Sequence, residues 1–427
     1  MSTGVSDPGE GALDRLLAKR LLSFQDLLKE AREGLEAIRL PGHSQPPLKL
    51  VQRIIDSLID EINVTSEELA FVENDQDKFR RTRSLHDSLE QFVHFVHTVV
   101  LASRSLPSAL FQMIEMAESQ LPKEWQFGFL IWNYTDLATL NMNSYMAKVL
   151  QPFVNTRQSM DDEPQCWVFG VPRSILDEPL NWPLVAHEIA HVLEQSQLHA
   201  VESVYGPRPA RTPDPYEPKV LKFRHAEEYQ ADFLAAYFFG PSFIMRIVSS
   251  YFSQEIHISA THPAWEERIE ALRDVGLPKL PSSAFYKTLI SDAIKGISFK
   301  GGMVAHEVVD LPAILEETAK QVTGKLPPFD CESPELKKAR ERLGRFLPYA
   351  EDYRCLLNAA VLEERTGLSA YQSEALGPSG REEREYRYLV ADCTRLCYVN
   401  MHYRIRRALE DELSTADTGK FSRGPVA

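Results

Sequence analysis

The segment His187-Glu188-Ile189-Ala190-His191 limits the fold of this chain more than any other short stretch. Two histidines four residues apart lie on one face of an α-helix, so both imidazoles can reach a single tetrahedral ion. Glu188 projects beside them, where it can take a proton from water on that ion. The other positions within and beside the motif are uncharged and apolar. The spacing therefore predicts a buried, metal-binding helix over 184–195, opened by Pro183.

A third metal ligand is expected from a second helical stretch. A catalytic zinc site takes three protein ligands and keeps one position open. Glu228 and Asp232 stand four residues apart, so one carboxylate can bind the metal while the other accepts the N–H of a ligand histidine. Glu227 is a rival ligand, but its i+4 position is Ala231, which offers no second acid. A solvated acidic helix face is the alternative, and the apolar residues 233–235 argue against it.

Three motifs occur in order over residues 182–272: HEIAH, EYQAD and THPAWEERI. This order resembles the gluzincin metallopeptidases, most of all the group that includes the CAAX-prenyl and heat-shock membrane proteases. The resemblance implies that the strand before the active helix, predicted at 166–171, receives an extended substrate by strand addition. Those relatives have transmembrane helices. This chain has no run of about eighteen apolar residues, so their membrane substrates do not carry over.

The resemblance also implies a role for each site residue. His187, His191 and Glu228 would bind Zn²⁺, Glu188 would be the general base, and Asp232 would orient His187. These roles describe metal-assisted hydrolysis, in which the base removes a proton from water and returns it to the leaving amine.

A donor for the developing oxyanion is also needed. The candidates in this part of the chain are His262, His225, Tyr229, Tyr237 and Arg268. His262 is the first choice. The alternative is that His262 caps a helix, while Arg268 pairs with acids to brace the domain.

A second stretch, Val304-Ala305-His306-Glu307-Val308-Val309-Asp310, has the same beginning as the metal motif but ends in aspartate. No ExxxD motif follows it at a comparable distance. We interpret it as an ordinary helix start after Gly301-Gly302.

The rest of the chain is predicted to be mostly helical. Apolar stripes at steps of three and four indicate three helices in the first 120 residues, and Thr65 with Glu68 is a candidate capping box for a further helix. The segment 166–171 (CWVFGV) is the best strand candidate. Five prolines predict a surface loop over 205–219, which we expect to border and gate the cleft.

The expected fold class is mostly α (α+β), with helical regions around a zincin-like core that contains a small β-sheet. We expect a helical amino-terminal region at 1–120, a catalytic domain at 121–276 and a helical carboxy-terminal region at 277–427. The sheet is expected to pack beside the metal helix.

Composition excludes several classes of protein. The net charge of -14 repels polyphosphate, so nucleic acid is not an expected partner. The first twelve residues lack a signal pattern, and no membrane association is expected. The five cysteines are odd in number and far apart, which indicates reduced thiols and a cytoplasmic protein. They are Cys166, Cys331, Cys355, Cys393 and Cys397.

The sequence thus predicts a soluble zinc metallopeptidase that acts on a protein or peptide. Two alternatives remain open at this point. One is a zinc hydrolase acting on a different amide or ester, and the other is a helical scaffold braced by zinc. The amino-terminal helices are a candidate surface for a regulatory protein partner.

Overall fold

The structure, a computed structural model, describes residues 10–38, 42–69, 75–158, 160, 164–209, 214, 216–251, 262–280, 284, 288, 291, 309–345, 347, 349 and 351–374. Helices dominate these residues, and three short strands form one mixed sheet. The predicted class, mostly α with a small sheet (α+β), is confirmed.

The chain divides into two compact units. The first comprises Met1–Phe111 and Phe127–Arg173, and the second comprises Gln112–Gln126 and Ser174–Ala427. The residues of the metal motif belong to the second unit, and the predicted strand at 166–171 belongs to the first.

The elements up to residue 176 include three long helices and all three strands. They are α1 (Glu10–Glu36), α2 (Gln45–Leu69), α3 (Asp75–Phe95, continued by a π-helical turn at Val96–Leu101), α4 (Ser108–Glu118), β1 (Gly128–Asn133), β2 (Ala138–Asn141), α5 (Met142–Val149), α6 (Val154–Gln158), β3 (Cys166–Val171) and α7 (Arg173–Leu176).

The core of the first unit is built from the apolar stripes of its long helices. Helix α1 contacts both α2 and α3, and the three stripes bury their side chains in one cluster. Leu28 of α1, Ile55 of α2 and Leu89 of α3 are fully buried. The predicted helices of this region are therefore confirmed. His86 lies half-buried against the ring of Phe24, and His94 and His97 are exposed on the same helix. The three stripes consist of Leu21, Phe24, Leu28, Ala31, Leu35 and Ile38; Val51, Ile54, Ile55, Leu58 and Ile62; and Leu85, Leu89, Phe92, Val96 and Val99.

The predicted capping box at Thr65 and Glu68 is wrong. Helix α2 runs without interruption to Leu69, and Thr65 is buried within it. The apolar stripe continues to Ile62, so burial of this face outweighs the local capping signal. Pro46 lies in the first turn of the same helix, where a missing N–H does no harm.

Strand β3 is the middle strand of the sheet. It pairs in parallel with β1 and antiparallel with β2, in the order β1-β3-β2, and all six of its residues are buried. The strand prediction is confirmed, but the expectation that β3 receives an extended substrate is wrong. Strand addition needs a free edge, and both edges of β3 are already hydrogen-bonded.

The elements from residue 185 onward are helices. They are α8 (Val185–Leu193), α9 (Ala200–Tyr205), α10 (Pro218–Phe239), α11 (Pro241–Tyr251), α12 (Trp265–Ala271), α13 (Leu311–Val322), α14 (Pro334–Gly344) and α15 (Tyr353–Glu374).

The junction between α10 and α11 is held by a buried asparagine. Asn358 of α15 donates to the Phe239 carbonyl at 2.6 Å and accepts from the Ser242 backbone N–H at 2.6 Å. Between them, Gly240 ends α10 with a φ of 89°, a conformation that favours glycine. These contacts fix the end of the long helix that carries Glu228.

Among the described residues, no helix combines the length and the apolar character that a membrane crossing would need.

Candidate metal centre

Helix α8 carries the two histidines of the HEIAH motif, as the spacing predicts. It is shorter than the predicted range of 184–195, because a 3-10 turn at Pro179–Leu184 precedes it and a π-helical turn at Glu194–Leu198 follows it. Eight of its nine residues are buried, and the side chain of the ninth, His191, is 13% exposed. The apolar residues around the motif thus place both imidazoles in a low-dielectric environment.

Helix α10 supplies the carboxylates. It packs against α8, and its residues from His225 to Phe239 are all buried. Glu228 and Asp232 are one turn apart and face α8, with exposures of 6% and 1%. Because two charged groups are rarely buried without partners, their surroundings must compensate them.

The side chains of His187, His191 and Glu228 meet at one point. The Nε2 atoms of the two histidines are 3.0 Å apart. The Glu228 carboxylate lies 3.2 Å from His187 Nε2 through one oxygen and 3.3 Å from His191 Nε2 through the other. The three donor atoms lie within 4.8 Å of one another, so this buried group could hold a metal ion.

Asp232 contacts the opposite nitrogen of the first histidine. Its Oδ1 atom lies 3.0 Å from His187 Nδ1. A ring whose Nδ1 donates a proton to a carboxylate presents its Nε2 lone pair on the other side. Asp232 is thus placed to orient His187 toward Glu228 and His191.

Arg268 of α12 lies behind the carboxylates. It donates from Nε and Nη2 to the two oxygens of Asp232 at 2.7 and 2.6 Å, and its Nη1 lies 3.5 Å from Glu228. Its guanidinium also stacks over the ring of Trp265, 4.5 Å from the centroid. The side chain of Arg268 is only 5% exposed.

The charges of the site shift the titration of its members. Burial and the charge of Arg268 lower the pKa of His187, but hydrogen bonds to Asp232 and Glu228 outweigh both and raise it to about 9. Burial raises the pKa of Glu228, yet the two histidines outweigh it and hold this pKa well below its ordinary value. The pKa of Asp232 is lowered because Arg268 outweighs burial. A metal ion here would replace the proton on the ligand nitrogen of His187, since metal ligands must be deprotonated.

Glu188 is buried beside these groups. It is 4% exposed, and its charge contributes to the raised pKa of Arg268. Asp232 and Glu228 contribute more to that shift, against the effect of burial. The carboxylate of Glu188 is therefore close enough to interact electrostatically with the guanidinium of Arg268.

Glu227, the rival ligand, contacts a different group. It forms an ion pair with Arg208, whose Nη2 also lies 3.9 Å from Glu194. Burial raises the pKa of Glu194 to about 8, and the charge of Glu227 adds to the effect. Neither the Arg208 pairing nor the burial of Glu194 was predicted. The only signal in the sequence was an acid three residues after His191.

Arg208 stands in the proline-rich segment between α9 and α10. The described residues between Tyr205 and Pro218 contain no helix or strand, as predicted. Arg208 also lies over the ring of Phe223, 5.7 Å from the centroid. The start of this segment is thereby attached to α10 one residue from Glu228. Gating by the segment stays a prediction.

The candidate oxyanion donors differ in position. His262 Nε2 lies 3.5 Å from Glu228, and the His262 side chain is 51% exposed. Burial lowers the pKa of His262. His225, Tyr229 and Tyr237 are buried on α10. Both His262 and Arg268 lie 3.5 Å from Glu228, and every guanidinium nitrogen of Arg268 faces a carboxylate.

The second His-Glu sequence lies largely outside the described residues. Its His306 and Glu307 are not among them, and neither are Cys393 and Cys397. Asp310 caps α13 by accepting from the Ala313 N–H at 3.3 Å. The predicted helix start after Gly301-Gly302 falls on residues outside those described. A further acidic group at His86, Asp87 and Glu90 lies along one helix, with both acids exposed.

No model of a known protein family matches this chain, and no curated protein or solved structure matches it either. The likeness to gluzincins therefore stays an expectation that rests on the three motifs.

Proposed function

We propose that this chain is a zinc-dependent metallohydrolase that cleaves peptide bonds. One observation carries the proposal: His187, His191 and Glu228 converge in a buried site, with the carboxyl group of Glu188 on the same helix as the histidines. A site that only braces a fold has no need of a buried base at that position.

The donor set favours zinc over Mg²⁺ and Ca²⁺. Two imidazole nitrogens and one carboxylate suit Zn²⁺, whereas Mg²⁺ and Ca²⁺ prefer oxygen ligands throughout. Three protein ligands leave the fourth tetrahedral position open, which is typical of catalytic zinc and not of structural zinc. When bound there, zinc would supply Lewis acidity for the carbonyl and for water.

The charges of the site also favour a divalent ion. Glu188, Glu228 and Asp232 carry three negative charges when ionised, and Arg268 carries one positive charge. With both imidazoles neutral, a divalent cation brings the sum to zero. Charge balance matters here because buried charges without compensation cost several kcal/mol each.

In the proposed reaction, each site residue has a distinct role. His187, His191 and Glu228 would hold the ion, and Asp232 keeps the imidazole of His187 in one orientation. Glu188 accepts a proton from the attacking water and returns it to the leaving nitrogen. His262 is the candidate donor to the oxyanion, because its side chain is 51% exposed and its Nε2 atom lies 3.5 Å from the ligand carboxylate.

The proposal is tested by Glu188→Gln, with Glu202→Gln as the matched control. Glu202 lies on α9 and its side chain is 39% exposed. Both changes remove one carboxylate and keep the size of the side chain. With zinc supplied, cleavage of a denatured protein substrate should fall at least about 100-fold in Glu188→Gln and stay unchanged in Glu202→Gln. Equal cleavage by wild type and Glu188→Gln, at equal zinc content, would rule out this mechanism.

A further inference from the structure

We propose that Arg268 is a positioning residue of the metal centre, which fixes Asp232 and Glu228 so that His187 presents Nε2 to the ion. This inference rests on the proposed metal site but does not depend on the reaction that the site performs. It assigns Arg268 to the protein side of the site and not to the substrate.

The geometry of the guanidinium carries the argument. Two of its nitrogens bind the two oxygens of Asp232, at 2.6 and 2.7 Å, and the third points at Glu228 from 3.5 Å. Such a paired contact fixes the plane of the carboxylate as well as its position. Nη2 also lies 3.3 and 3.5 Å from the two ring nitrogens of His187, so the guanidinium contacts the histidine ring as well as both carboxylates.

Arg268 and His187 share one oxygen of Asp232. Oδ1 accepts from Arg268 Nη2 at 2.6 Å and lies 3.0 Å from His187 Nδ1. Both nitrogens are donors when Nδ1 is protonated, so their separation of 3.3 Å follows from their common acceptor. The plane of the Asp232 carboxylate thus determines the direction in which the His187 ring points.

The surroundings of Arg268 hold it in this single arrangement. Its side chain is 5% exposed and its guanidinium lies over the Trp265 ring. A lysine would keep the positive charge, but one ammonium cannot bind both oxygens of Asp232 in a plane and also face Glu228. The role proposed here therefore requires the shape of arginine and not only its charge.

The test compares zinc dissociation constants of the full chain, measured by competition with a chromophoric chelator. The variants are Arg268→Lys, Asp232→Asn and the combination of the two. Arg273→Lys is the matched control, because Arg273 is on the next turn and pairs with the exposed Asp274. The visible spectrum of the Co²⁺-loaded protein, which reports ligand geometry, is recorded for each variant.

Arg268→Lys and Asp232→Asn should each weaken zinc binding about 10- to 100-fold, which is the usual effect of removing a residue that hydrogen-bonds to a metal ligand or to its partner. The combined variant should bind zinc no more weakly than the weaker-binding of the two single variants. Both changes act on the same contacts, those from Arg268 through Asp232 to His187, so their effects should not add. The Co²⁺ spectrum should change in these variants and not in Arg273→Lys.

Zinc affinity and a Co²⁺ spectrum in Arg268→Lys equal to those of wild type would overturn the proposal, and so would effects that multiply in the combined variant. If Arg268→Lys does not fold, the pair Asp232→Asn with Arg268→Gln removes both members of the Asp232–Arg268 ion pair together and must show the same loss of affinity. Peptide cleavage does not enter these measurements. Wild type that binds zinc with the expected dependence on Arg268, yet cleaves nothing, would refute the proposed function and leave this inference standing.

Discussion

Replacing Glu228 by glutamine tests the third metal ligand. Zinc in small peptide sites is bound with about 10–16 kcal/mol over four ligands, so one ligand contributes roughly 3 kcal/mol. At 1.4 kcal/mol per factor of ten, the loss of this ligand corresponds to a dissociation constant about 100-fold larger. We expect Glu228→Gln to show this loss because its carboxylate lies within 3.3 Å of both histidine nitrogens.

Glu227→Gln is the control, since Glu227 is adjacent in sequence and buried on the same helix. Its carboxylate forms an ion pair with Arg208, and the charge of His191 also reaches it from the ligand group. Zinc affinity, measured by chelator competition, should stay within about threefold of wild type, because this substitution removes no metal ligand. Thermal unfolding of the metal-free proteins checks that both variants are folded. Equal loss of affinity in the two variants would refute the assignment of Glu228.

Two predictions concern the stability of the two units. Leu28→Ala, at a fully buried position of α1, should lower the free energy of unfolding by about 2–5 kcal/mol in a urea titration; a change below about 1 kcal/mol would contradict the packing of α1. Asn358→Ala leaves the Phe239 carbonyl and the Ser242 N–H without their buried partner, and should cost about 1–3 kcal/mol for each group. Hydrogen exchange should show faster opening around Ser242 in that variant, and unchanged exchange there would argue against the contact.

Local spacing was sufficient to predict the centre of the site. His187 with His191, and Glu228 with Asp232, are each one helical turn apart, and this periodicity places each pair on one face without knowledge of the rest of the fold. The long apolar stripes of α1 to α3 could be predicted for the same reason.

Contacts between distant segments could not be predicted in this way. The middle position of β3 depends on pairing with two strands that lie 25 or more residues earlier, and nothing in CWVFGV indicates which edges are covered. Arg208 and Glu227 are 19 residues apart in the sequence, and Asp232 and Arg268, which are in contact, are 36 residues apart. The sequence offered Arg268 as one of several oxyanion donors or, alternatively, as a partner of acidic residues; the second interpretation agrees with its contacts to Asp232 and Glu228.

Local signals also failed where tertiary packing opposed them. Thr65 and Glu68 have the spacing of a capping box, yet α2 continues through them. The helix buries an apolar stripe as far as Ile62, which stabilises it by more than the roughly 1 kcal/mol of a helix cap.

The metal content of the purified chain tests the central claim most directly. Elemental analysis of protein prepared with zinc and passed through a desalting column should give about one zinc per molecule, because the three buried donors form one site. The variant with both His187→Ala and His191→Ala should retain almost none, while its amino-terminal unit, which contributes no ligand, should unfold as in wild type. Stoichiometric zinc in that double variant, or no zinc in wild type, would contradict the account.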